Sequence, residues 1–246
     1  MTKKAIILAA GRGSRMREMT NDRPKGLVEL ASKPLVAWQI DALRSAGIDD
    51  IVIVTGYRGE QFAPYADRTI PNDDWANTNM VSSLICAAAE IDGPVIISYS
   101  DIVYAPSIVK KLMAAPGDTA LAYDKDWLTQ WNRRFEDPLS DAETFRISND
   151  NILTEIGGKT NSLAEIEGQY MGLLRFSSQT IDAILSVTTE EERPKMDMTS
   201  LLMRLINAGH TIHGAAISGG WCEVDSTSDL RVAHEIVDEG QLTLEA

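Results

Sequence analysis

The chain has 246 residues, 44% of them hydrophobic, with a net charge of −13 and two cysteines. That length and apolar content suit one α/β domain with a substantial core, and the acidic balance argues against a nucleic-acid surface, which gathers lysine and arginine around phosphates. No apolar run approaches the ~18 residues of a membrane span, the opening "MTKKAIILAAGRGSR" lacks a small-residue cleavage site, and Cys86 and Cys222 fit neither a disulfide framework nor a zinc ribbon; a soluble, cytoplasmic protein with reduced thiols is expected.

In chain order, "KAIILAAG" reads as a buried strand running into a tight glycine turn. "PLVAWQIDALRSAG" has apolar residues at helical spacing and a closing glycine, and "IDDIVIVTGY" is a second buried strand, which makes a βαβ unit. Then "WANTNMVSSL" sets three small polar residues at the mouth of a helix ("MVSSLICAAAEI"), followed by a strand ("PVIISYSD"), a helix ("APSIVKKLMAA") and a strand ("TALAYD"). This alternation predicts a mostly parallel sheet with helices on both faces. From Lys125 to Gly172 the chain is charged and turn-rich, and the strand candidates "ETFRIS", "ILTEIG" and "GQYMGLLRF" are expected to form a small antiparallel layer over one end of the sheet. "MTSLLMRLINAG" predicts a helix, "IHGAAIS" a strand, and "STSDLRVAHEIVDEG" a last helix with Ser226 or Thr227 near its N-cap. No repeat, low-complexity tract or linker divides residues 1–246.

Charge is spread unevenly. Residues 1–35 hold eight basic side chains (Lys3, Lys4, Arg12, Arg15, Arg17, Arg23, Lys25, Lys33) against three acidic ones (Glu18, Asp22, Glu29), which suits a small anion. "LAAGRGSRMR" follows the first strand, where an open α/β sheet binds ligands at the carboxyl ends of its strands, and glycines 11 and 13 let backbone N–H groups approach phosphate oxygens. A Walker loop would need Gly-Lys-Ser/Thr, and the dinucleotide fingerprint would need glycine at Met16. A purely structural turn competes with the phosphate reading until "DRPKGLVEL" adds Lys25 to Arg15: cations gathered at one turn repel unless an anion screens them.

These segments, "AIILAAGRGSRM" and then "RPKGLVELASKPLV", resemble the signature of the nucleotidyltransferases that join a nucleoside triphosphate to a small phosphate, including sugar-1-phosphate and phosphocholine enzymes, and the resemblance extends over most of the chain. It implies their Rossmann-like α/β fold, with 1–124 mainly nucleotide-binding and 125–225 mainly acceptor-binding. It also implies that Leu8, Ala9, Ala10, Gly11, Arg12, Gly13 and Ser14 hold the triphosphate while Arg15 and Lys25 stabilise charge at phosphorus.

Asp101 ends a buried strand at the same carboxyl edge, and Glu223 and Asp225 share one face if their segment is extended. Converging carboxylates suit Mg²⁺, which takes one or two of them and fills its shell with phosphate oxygens and water; each aspartate could instead cap a helix. The family's metal-binding aspartates match Asp101 and Asp225. An acceptor phosphate or phosphonate is already ionised near neutral pH, so no serine, cysteine or histidine base is needed, and His210, His213 and His234 are expected to be bystanders. In this family the segment matching "NTNMVSSL" lies beside the nucleobase, so Asn77, Thr78, Asn79 and Ser82 are its candidate readers, and the Asn-Met-Val form resembles cytidylyltransferases.

"DKDWLTQWNRRFEDPLSDAETF" carries Trp127 and Trp131 four apart, with Asp124, Asp126, Arg133 and Arg134 around them. Aromatic faces and carboxylates attract an amine, and arginine suits a phosphonate or phosphate; Tyr170, Asp197, Trp221 and Glu223 would complete the pocket, although paired tryptophans also simply pack under loops. "DAETFRI" and "EGQYMGLLRF" resemble the phosphonate-linked branch. The expectation is transfer of CMP from CTP to 2-aminoethylphosphonate, with phosphocholine next, and a homodimer is compatible with it. A sugar-1-phosphate nucleotidyltransferase using UTP, dTTP or GTP is the rival. Keeping Lys25, Asp101 and Asp225 together argues against a non-catalytic nucleotide binder.

Overall fold

The computed structural model describes residues 3–243. Its strands are β1 (Lys4–Ala9), β2 (Glu29–Leu30), β3 (Lys33–Pro34), β4 (Asp50–Thr55), β5 (Arg68–Pro71), β6 (Val95–Tyr99), β7 (Ile102–Tyr104), β8 (Ala120–Asp124), β9 (Phe145–Ile147), β10 (Leu153–Ile156), β11 (Gln169–Phe176), β12 (His213–Ile217) and β13 (Trp221–Glu223). Its helices are α1 (Leu35–Ser45), α2 (Met80–Cys86), α3 (Pro106–Ala114), α4 (Leu128–Arg134), α5 (Ser178–Val187), α6 (Met198–Asn207) and α7 (Thr227–Asp238).

The central sheet has seven strands in the order β12-β8-β11-β6-β1-β4-β5, all running one way except β11. Side chains alternate across a strand, so β1 feeds two cores. Ala5, Ile7 and Ala9 pack with α1 and α3 on one face, and Ile6 and Leu8 with α2, α5 and α6 on the other. This double burial explains why β1 reads as an unbroken apolar run. The last helix begins as its sequence suggests: Ser226 and Asp229 form a reciprocal capping box. Cys86 is exposed, Cys222 is buried, and both are unpaired.

The sheet departs from expectation at "GQYMGLLRF". Only β9 and β10 form the separate antiparallel ribbon; β11 inserts into the main sheet, antiparallel to β6 and β8 on either side. The reason is its composition, since Met171, Leu173, Leu174 and Phe176 are buried and need cover on both faces, which an outer layer would not provide. The turn-rich reading of Lys125 to Gly172 also passed over α4, and α5, beyond that stretch, was not among the expected elements. The Ser177–Thr180 capping box marks the start of α5, a signal that was present in the sequence.

Candidate active site

β1 ends at Ala9, and the chain leaves the sheet through Ala10 to Gly13. Gly13 has φ 75°, and a Cβ there would come within 2.5 Å of Lys25 Cβ. Only glycine lets the loop close on that lysine. Pro24, extended at φ −72° and ψ 158°, leads into a single turn at Lys25–Leu27, and Lys25 is buried at 8% exposure. Its Nζ lies 2.6 Å from Asp101 Oδ2 and also donates to Asp225 Oδ1, while the exposed Arg15 pairs with Asp225 Oδ2. Burial alone would push the Lys25 ammonium down; Asp101 and Asp225 outweigh it and hold the group above its ordinary value.

The aspartates meet because of a strand pair outside the main sheet. β6 delivers Asp101 to the carboxyl edge; β13 then pairs antiparallel with β7, setting Glu223 opposite Ile102. The pairing continues one step, Val224 N–H donating to Asp101 C=O at 2.8 Å. Period-two alternation turns Val224 into the core and leaves Glu223 and Asp225 on the other side. Burial raises the Glu223 carboxyl, Arg134 opposes this, and the carboxylates of Asp101 and Asp225 add to the rise. Asp101 Oδ1 is buried with no hydrogen-bond partner among the described residues.

Beside this cluster is a cavity of about 190 Å³. Of the residues expected to hold a nucleotide, Leu8, Ala10, Gly11, Gly13, Thr78 and Asn79 line it, together with Arg15, Lys25 and Asp101. Others turn away. Ala9 is in the core, Arg12 bonds Asn21 and lies over the Tyr57 ring, Ser14 opens a short helical turn, and Asn77 bonds Asp74. On α2 it is Ser83 that faces the cavity, and Ser82 does not. Ser83 is buried and accepts a hydrogen bond from Asn72 at 3.1 Å. Trp75, Met80 and Ser100 also line the cavity and were not singled out from sequence. Counting one helical turn from the Asn79 cap would have selected Ser83. None of the three histidines lines it.

The expected acceptor residues are not gathered into one cage. Trp127, the residue before α4, and Trp131 within it are four apart and buried, 4% and 3% exposed, and Trp221 is 2% exposed beside Trp131. Their indole N–H groups are used internally, donating to Ile166 C=O, Asp141 and Asp124. Large rings with a satisfied polar edge belong in a core. Arg133 reaches across the surface to Glu235 and Glu239 of α7. Arg134, its neighbour, is the buried one and holds Glu223 at 2.6 Å and Asp229 at 2.9 Å. Asp197 caps α6. Tyr170 lies edge-to-face against Tyr99, 5.8 Å between centroids. A bulge in β11 makes room for this contact: Gly172 has φ 82°, and a Cβ there would lie 2.8 Å from Tyr99 Cδ2.

Residues 5–196 match the MobA-like NTP transferase domain. The chain is 39% identical over 251 residues to a CTP:phosphoglutamine cytidylyltransferase of Campylobacter jejuni, covering 94% of this chain and 99% of that protein. It is 41% identical over 105 residues to a choline-phosphate cytidylyltransferase of Streptococcus pneumoniae, covering 41% of this chain and 46% of that one. The solved inositol-1-phosphate CTP transferase from T. maritima superposes with a TM-score of 0.79 over 100% of this chain and 98% of its own, at 19% identity, a likeness of fold alone. No helix among the described residues is long and apolar enough to cross a membrane. A glycine loop closed on a buried lysine, two aspartates brought to that lysine and a match over most of the chain lead to one conclusion: the protein belongs to the MobA-like NTP transferase family and is a nucleotidyltransferase.

Proposed function

We propose that the enzyme transfers CMP from CTP to a small phosphorylated or phosphonate acceptor that carries an amine, releasing pyrophosphate. The observation that carries this reading is the Lys25–Asp101–Asp225 cluster at the edge of a glycine-loop cavity. An acceptor phosphoryl oxygen forms the new bond to the α-phosphorus as the bond to the pyrophosphate oxygen breaks, and negative charge builds on the leaving group. Lys25, held charged by its two carboxylates, and the more exposed Arg15 supply positive charge there. The nucleophile is already ionised, so the chain need not remove a proton.

The donor set suits a hard divalent cation. Asp101 and Asp225 offer two carboxylates, and Asp101 Oδ1 is buried without a hydrogen-bond partner among the described residues, as suits Mg²⁺ completed by phosphate oxygens and water. When bound, Mg²⁺ would neutralise phosphate charge and orient the triphosphate. Cytidine is favoured over other bases because the two relatives named above are cytidylyltransferases and because small polar groups, Thr78, Asn79 and Ser83, border the cavity. Ser83→Ala is expected to raise the KM for CTP by about 2- to 10-fold, the worth of one neutral hydrogen bond, and Ser82→Ala to leave it within error. Equal effects at both positions would reject this face of α2.

The direct test is pyrophosphate release with Mg²⁺, crossing CTP, UTP, ATP and GTP with 2-aminoethylphosphonate, phosphocholine, phosphoethanolamine and glucose-1-phosphate. Turnover is expected only with CTP and amine-bearing acceptors, and should be lost on chelation with EDTA. Turnover with UTP and glucose-1-phosphate would replace this reading with that of a sugar-phosphate enzyme.

A further inference from the structure

Asn72 follows β5 at the carboxyl edge of the sheet, and its backbone is tied on both sides: its N–H donates to Thr55 C=O at 2.7 Å, and its C=O accepts from Trp75 N–H at 3.2 Å. The side chain is 4% exposed and lies behind the nucleotide cavity, outside its lining. From there its amide nitrogen reaches two hydroxyls that do line the cavity, Thr78 at 3.0 Å and Ser83 at 3.1 Å. Both amide hydrogens are used, one on each oxygen.

These bonds fix the direction of each proton. Thr78 Oγ1 donates to Asp74 C=O at 3.0 Å, so towards Asn72 it can only accept, and Asn72 must present its nitrogen on that side and not its oxygen. The same nitrogen meets Ser83, which therefore accepts as well. The one hydrogen of the Ser83 hydroxyl donates to no acceptor among the described residues, and Ser83 is a buried residue on the cavity wall. Its free bond is a donor for whatever lies in the cavity. Gly13, Lys25 and Asp101 gather the phosphates, which leaves the wall made by α2 for the base. The two pyrimidines differ there: N3 is a bare acceptor in cytosine and carries a hydrogen in uracil, so a fixed donor pairs with the first and faces another donor in the second.

We propose that Asn72 is a positioning residue that selects cytosine over uracil: by taking the acceptor side of Ser83 it aims the proton of that hydroxyl at N3 of the base. The inference rests on the CTP reading and adds to it a residue that does not touch the nucleotide.

Equilibrium binding of the full chain to the Mg²⁺ complexes of CTP, UTP and 3-deazacytidine triphosphate, in which N3 is replaced by C–H, tests this without an acceptor. The wild-type protein is expected to bind CTP about 10-fold more tightly than either of the others, the worth of one hydrogen bond lost in a buried site. In Ser83→Ala the gap between CTP and the deaza analogue should close. Asn72→Asp turns the chain of bonds round, because a carboxylate accepts from Ser83 and leaves a lone pair facing N3; the CTP-to-UTP affinity ratio should fall about 10-fold or more, towards a preference for UTP. The added charge repels both triphosphates alike and drops out of the ratio, as does any loss of packing around Asn72. Asn72→Ala frees the hydroxyl to turn either way and should give an intermediate ratio, which keeps the test open where the charged variant does not fold. A CTP preference unchanged in the Asn72 variants, or a deaza analogue bound by the wild type as tightly as CTP, overturns the inference and leaves the CTP reading in place. Wild-type binding of UTP as tight as that of CTP overturns both.

Discussion

Lys25→Met is expected to lower kcat for pyrophosphate release by about 10²- to 10³-fold, the usual loss when one preorganised charge-stabilising donor is removed. The ammonium is 2.6 Å from Asp101 Oδ2 and bonded to Asp225 as well, so the substitution also leaves two carboxylates facing each other in a largely buried site. Breaking a buried pair in this way costs about 3–5 kcal/mol, and a melting curve should record it alongside the kinetics. Lys25→Arg separates the two effects. It keeps the charge, so most of the stability should return, but a planar guanidinium cannot place its charge as the compact ammonium does between Asp101 and Asp225, and activity should stay low. A Lys25→Met enzyme within twofold of wild type would remove this residue from the chemistry.

Arg134→Met should cost a large share of the stability of the fold although it lies outside the cavity. The Arg134 side chain is 2% exposed, binds Glu223 at 2.6 Å and Asp229 at 2.9 Å, and lies over the rings of Trp131 and Phe135. Burial would lower its pKa, but the two carboxylates more than compensate and keep it above the ordinary value. Without it, both carboxylates lose their buried partner at a cost of about 3–5 kcal/mol, or roughly 6–20 °C in Tm for a chain of this length. Glu223 would also lose the anchor that holds it beside Asp101. Arg133 is the natural control, since its pairs with Glu235 and Glu239 lie at the surface, where such contacts contribute about 0–1 kcal/mol. Equal Tm changes for Arg133→Met and Arg134→Met would show that burial does not separate these adjacent arginines.

The same pair of arginines shows where sequence reading stops. "WNRR" reveals two tryptophans and two cations, yet not which of them the fold buries, because that depends on α4 meeting α7 and β13, elements some hundred residues further on. Ser82 and Ser83 pose the same question at short range, and one residue of helical rotation decides it.

By itself, the sequence determined the parts that local physics encodes. Apolar runs on either side of a patterned helix required buried parallel strands, the glycines after β1 required a loop that could approach an anion, and Lys25, Asp101 and Asp225 announced the charges that would have to meet there. Only the tertiary structure decided where β11 inserts, which face of α2 borders the cavity, and that the tryptophans belong to the core. Those outcomes depend on contacts between residues distant in the chain, where competition for burial on both faces of one sheet overrides any preference written in a short segment.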